Sequence, residues 1–231
     1  MQQKQEFYET ARDIVSFTDS YTQNKQGKQN EQPESESISS LTDIASTLQT
    51  LSHQIGENNT CKQVIQIPKL LQSLSTLSLY KIGIHIGQEL DQMRLEVRSF
   101  SRECLRYIQQ LGDEQIQSEL VNNGYGRVTS ITFSTAGGKG EEQDLEIMNG
   151  LMYIQYFLRA LHYGRNDFYW QPSFQPLPLL ARNTEEQMEE EGANEELEAQ
   201  LNNNENRWGI KSNANSVKAA ILNRFIHRRR R

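Results

Sequence analysis

The apolar residues between positions 86 and 111 recur so regularly that few folds stay open to the chain. Ile86, Leu90, Met93, Val97, Phe100, Cys104, Tyr107 and Leu111 are spaced 4, 3, 4, 3, 4, 3, 4. That is an unbroken heptad stripe, the mark of a long amphipathic helix whose seam must find a partner. Arg94, Glu96, Arg98, Arg102 and Glu103 fall between the stripe positions and read as its solvated side. Gly112 follows as a stop.

A second heptad segment runs from Ile38 to Gly56, with Leu41, Ile44, Leu48, Leu51 and Ile55 spaced 3, 4, 3, 4. A third runs from Asp144 to Tyr163, where Ile147, Leu151, Ile154, Leu158 and Leu161 repeat the pattern and Met148, Met152, Phe157 and Ala160 widen it. A helix apolar on more than one side is expected at the centre of its bundle. The first two seams are expected to pack on each other; pairing with a second chain is the alternative.

Between these segments the pattern is weaker. Pro68 suits the first turn of a helix carrying Leu70, Leu71, Leu74 and Leu77. Residues 80–87 (YKIGIHIG) alternate like a strand, but helical pattern lies on both sides. The expectation is continued helix over 68–111, bent at Gly83 or Gly87. Asp113 can cap a short helix to Asn122. Residues 125–134 (YGRVTSITFS) are rich in β-branched and aromatic residues and are the best strand candidate.

The fold expected is therefore mainly α. It is an antiparallel helical bundle of long heptad-patterned helices, with at most a small β element and flexible N- and C-terminal extensions. Its parts are an amphipathic helix at 1–22, a disordered linker at 23–37 and a bundle at 38–182 that ends in a Pro/aromatic strap. An acidic disordered segment at 183–206 and a basic amphipathic tail at 207–231 follow. The linker QNKQGKQNEQPESES has no apolar residue. Residues 183–206 carry nine Glu and no Lys or Arg, while 207–231 carry eight Lys or Arg and no acid.

Catalytic and metal motifs are weak. The loop STAGGKG at 134–140 departs from the phosphate-loop pattern, with Gly140 where Ser or Thr would meet magnesium. His53, His85, His162 and His227 stand three or four residues from no other His or Cys. His162, late in its helix, suits the negative end of the helix dipole. No nucleophile elbow, zinc-protease or dinucleotide fingerprint occurs. Neither an enzyme, a cofactor nor a metal site is expected. Two cysteines, Cys61 and Cys104, make no disulfide framework and favour a reducing, intracellular compartment. No apolar run reaches the ~18 residues a membrane span needs, so a soluble protein is expected.

The functional expectation is a non-catalytic assembly subunit, docking on other proteins or on its own copies. Its contact residues would be Leu41, Leu48, Ile55, Leu90, Val97 and Phe100 on the heptad faces, and Phe168, Tyr169 and Trp170 in the strap. The alternative is a nucleocapsid-like, nucleic-acid-binding protein. Its contacts would be Lys211, Lys218, Arg224, Arg228, Arg229, Arg230 and Arg231 on phosphates.

Overall fold

The computed structural model describes residues 2–27, 37–58, 61–134, 143–166, 171–202 and 209–226. Among the described residues there are eleven helices and no strand. The chain divides into two compact units, Met1–Gly112 and Asp113–Arg231. The division lies inside the 38–182 stretch that the sequence reading takes as one bundle.

The first unit holds α1 (Gln2–Gly27), α2 (Ile38–Asn58), α3 (Cys61–Val64), α4 (Leu70–Leu77) and α5 (Gln88–Leu111). The two heptad segments, α2 and α5, pack against each other within the chain. Thr42 Oγ1 meets Met93 Sδ at 3.6 Å, and Ser52 Oγ donates to Glu103 Oε2 at 3.1 Å. A Cβ on Gly56 would lie 3.2 Å from the Tyr107 ring. Each pair is separated by the same 51 residues, so α2 and α5 run parallel over this contact. Parallel neighbours need a return segment between them, and residues 61–87 supply it. The expectation of antiparallel neighbours thus gives way for this pair. The N-terminal helix is no free extension: Phe7, Ala11 and Ile14 are buried, and α1 packs on α2 and α4. Phe17 and Tyr21 reach the Tyr80 ring from the same helix.

Residues 68–111 do not form one helix. Helix α4 ends at Leu77, and turns follow from Ser78 to Gly83. Lys81 and Gly83 adopt left-handed backbone at φ 45° and 71°, which no continuous helix tolerates. Ile86, first in the heptad stripe by sequence, stands outside α5 and is exposed.

The second unit holds α6 (Glu114–Asn122), α7 (Tyr125–Phe133), α8 (Asp144–Tyr163), α9 (Pro178–Glu190), α10 (Ala193–Asn202) and α11 (Ile210–Ile226). Helix α8 touches α7, α9 and α11. Its Ile147, Leu151, Ile154, Phe157, Leu158 and Leu161 are buried.

The strand expected at 125–134 is the helix α7. Val128, Thr129, Ser130 and Thr132 are turned inward, and the helix satisfies most of the hydroxyls locally. Thr129, Thr132 and Ser134 hydroxyls donate to the carbonyls of Tyr125, Val128 and Ser130, four residues back. Small residues then let neighbouring helices approach. A Cβ on Gly126 would lie 2.9 Å from Thr184 Cγ2, and one on Gly150 would lie 3.0 Å from Thr132 Cγ2. Burial and close packing override the strand propensity.

Residues 183–202, expected to be disordered, are helical apart from a turn at Glu191 and Gly192. Ala181, Thr184 and Met188 on α9, and Ala193 and Leu197 on α10, form buried stripes beneath the glutamates. The chain turns back from α8 into α9 at Gly164. There φ is 73°, and a Cβ would fall 2.6 Å from the Phe174 carbonyl, so only glycine fits. Arg165 and Phe174 exchange two backbone hydrogen bonds just beyond it.

Candidate docking site

The buried side of α5 is rotated away from the heptad seam read in the sequence. Val97 and Cys104 are buried, yet Met93, Phe100 and Tyr107 are only half-buried. Burial instead extends over Arg94, Arg98, Ser101, Arg102, Leu105, Ile108 and Gln109. The cause is that α5 is covered from two sides. Helix α2 lies along the seam, while α4 and the turns after it lie along the flank.

Three arginines form that flank. Arg94, Arg98 and Arg102, one helical turn apart, are 1%, 7% and 5% exposed. Their guanidinium groups donate to backbone carbonyls. Arg102 Nε reaches the Ser78 carbonyl at 3.1 Å, Arg98 Nη1 reaches Tyr80 at 3.2 Å, and Arg94 Nη1 reaches Ile84 at 3.0 Å. The acceptors descend in number as the donors ascend, so residues 78–84 run opposite to α5. The chemistry follows from the turns after α4. Ser78, which closes the helix, and Tyr80 and Ile84 beyond it present carbonyls outside any helical ladder, and each accepts from an arginine. Guanidinium, planar and rich in donors, suits several such acceptors at once.

The clamp fixes a loop. Asp91 Oδ1 accepts from the Ile86 amide at 3.2 Å, and the Asp91 amide donates to the Gly87 carbonyl at 2.9 Å. Arg94 lies 3.4 Å from the same Asp91 carboxylate, and His85 Nδ1 lies 3.5 Å from it. Residues 84–87 are thereby held by α5 from both directions. Their apolar side chains are not covered: Ile84 is 51% exposed and Ile86 65%. Ile38, exposed at the start of α2, belongs to the same end of the unit. One turn on, Thr42 touches Met93 near the start of α5. These three isoleucines are the large exposed hydrophobics among the described residues of this unit.

The residues expected to dock are placed differently. Leu41, Leu48, Ile55 and Val97 are buried in the first unit's own core. Leu90 and Phe100 are half-buried on α5. Phe168, Tyr169 and Trp170 lie outside the described residues, as do Arg228, Arg229, Arg230 and Arg231, and so does the loop at 135–140. Of the basic tail, Lys211 is exposed on α11, and Lys218 pairs with Glu198 of α10. Arg224 belongs to α11, its side chain outside the described set. The acidic and basic segments meet through that α10–α11 packing. Sequence reasoning missed Ile84 and Ile86 as a displayed pair. The signal is the alternation of residues 82–86 beside two glycines, which the helical pattern on both sides obscures.

Other polar groups are accounted for by packing. His162 Nε2 lies 2.8 Å from Glu185 Oε1, tying α8 to α9, so a carboxylate partner joins the dipole argument. Cys104 Sγ donates to the Leu48 carbonyl at 3.4 Å. Burial, with the charge of Glu103 beside it, pushes the Cys104 thiol far above its usual range. A cleft of about 560 Å³ opens between α1 and Gln66–Pro68, lined by Tyr8, Arg12, Val15 and Asp19 among others. Among the described residues no group of three His, Cys, Asp or Glu side chains is placed to hold a metal ion. No described helix is long and apolar enough to cross a membrane.

No family model matches the sequence, and no curated protein or solved structure matches it.

Proposed function

We propose that this chain is a non-catalytic assembly subunit, and that its first unit docks by the end carrying Ile38, Ile84 and Ile86. The observation that supports this reading is the pinned loop. Two exposed isoleucines sit on backbone held by Arg94 and Asp91, not on a slack connection. A solvated loop needs no such clamp. A docking loop benefits from one, because ordering before contact lowers the entropy lost on binding. Isoleucines displayed at one end fit an apolar recess in another protein.

The test is purification of the full chain from its native cells, with and without nuclease, read by mass spectrometry. An Ile84→Asp/Ile86→Asp variant is run beside it. A defined set of proteins is expected to survive nuclease and to be lost from the variant. Partners that the variant retains, or that vanish on nuclease digestion, would overturn the reading. The second of those outcomes would transfer the function to the basic tail.

A further inference from the structure

The third heptad helix carries a second apolar face that is exposed among the described residues of the second unit. On α8, Leu145 is 47% exposed, Tyr156 54% and Tyr163 59%, with Met152 half-buried among them. At about 100° per residue, these four fall within about 20° of one line along the helix. The line lies opposite to Ile147, Leu151, Ile154, Leu158 and Leu161, which fill the unit's core. An apolar line along some 27 Å of helix, closed by two exposed tyrosines, resembles the centre of an interface more than a solvated face.

The spacing of the four says what kind of surface fits them. The intervals are 7, 4 and 7, which read the same in either direction. A helix laid against its own copy in the opposite direction, centred on Ile154, brings Leu145 to the level of Tyr163 and Met152 to the level of Tyr156. Each apolar residue then meets an apolar residue, at both ends and in the middle. The charges agree with the same arrangement. Asp144 begins the helix, and Arg159 is exposed near its end, on the same flank of the stripe. Reversal places Arg159 of one copy within about 7.5 Å along the axis of Asp144 of the other, on the same flank of the seam, so the opposite charges attract across it. It also sets the two helix dipoles in opposition, which is the favourable sense. A parallel alignment would match the apolar residues equally well, but it would put Asp144 beside Asp144 and Arg159 beside Arg159 and align the two dipoles.

We propose that the outward face of α8 is an isologous interface, pairing two copies of this chain antiparallel across a two-fold axis at the level of Ile154. The interface is separate from the isoleucine loop, so the two proposals stand or fall independently.

The full chain is examined by sedimentation over a concentration series. A dimer is expected for the native sequence, and Tyr156→Glu is expected to weaken it by about 100-fold or more, because each dimer loses the contact twice. Tyr156 is exposed in the single chain, so helical content by circular dichroism should not change. Ile84→Asp/Ile86→Asp should leave the dimer intact. Direction is read by spin labels in a Cys61→Ser/Cys104→Ala background. Labels at Gln155→Cys should lie close together, near the interhelical spacing of roughly 8–10 Å. Labels at Gln143→Cys should lie about 33 Å apart along the axis. A native chain that stays monomeric overturns the proposal. So does a dimer indifferent to Tyr156→Glu, or one whose Gln143→Cys labels lie as close as those at Gln155→Cys.

Discussion

Burial reverses the meaning of single residues in this chain. Arg94, Arg98 and Arg102 look like solvent-facing charges by spacing, but their stems pack in the interior and their guanidiniums serve carbonyls in the turns that follow α4. Cys104 is the opposite case: a heptad position by sequence, and buried in the structure as expected. Its thiol is held neutral by desolvation, so folding and ionisation are linked. The sign follows directly. The folded pKa is raised, so the folded chain keeps a proton that the unfolded chain loses above about 8.5. The stabilisation is complete below that pH and declines as pH rises toward the folded value. Between pH 8.5 and 9.5 the native chain is expected to lose stability more steeply than Cys104→Ala, with a difference in slope approaching about 1.4 kcal/mol per pH unit at the upper end. Urea titrations of both proteins at each pH check this.

Among elements, the decisive feature is the reversal between α4 and α5. Removing a buried charge recovers desolvation energy, and a long apolar side chain can fill the space of the stem. Against this, the Tyr80 carbonyl in the turns after α4 loses a charge-assisted donor, a loss of about 1.5–3 kcal/mol. The two effects oppose each other in global stability, but only the second acts on the turns. Arg98→Met is therefore expected to accelerate amide exchange at residues 78–87 by at least about tenfold, while the α2–α5 contact stays protected. Hydrogen exchange read by mass spectrometry over these peptides decides it; unchanged exchange at 78–87 would show that the clamp is not what orders the loop. The same competition between local preference and packing appears in α7. Its sequence prefers a strand, but inward hydroxyls bonded four residues back and the close approach to Gly150 and Thr184 make it a helix.

For the whole molecule, each unit has a buried core of its own. Phe7, Ile14, Leu48, Leu74 and Ile108 are buried in the first, and Phe133, Leu151, Phe157 and Leu197 in the second. Residues 1–112 and 113–231, expressed separately, are each expected to be helical and to melt cooperatively, because about 110 residues suffice for an independent core. A fragment that shows no cooperative transition by circular dichroism would mean that its unit needs the other. The acidic and basic segments also belong to this scale. Read separately, they are a disordered run and a free tail. In the fold, α10 and α11 pack together, and Lys218 of the tail answers Glu198 of the acidic run.

The sequence by itself determined the helical class, the positions of α2, α8 and most of α5, the short α6 and the stop at Gly112. Periodicity and caps carry that information because they are local: each apolar position marks a helix face whatever lies opposite. It also marked α8 as apolar on more than one side. Only the tertiary structure decided what those faces meet. The direction of α2 beside α5, the rotation of the α5 core onto its arginines and the helical state of residues 125–133 depend on contacts between residues far apart in the chain. The exposure of Ile84 and Ile86, and of the outer side of α8, is likewise set by where neighbouring helices end. A residue's own chemistry does not encode which neighbour will cover it.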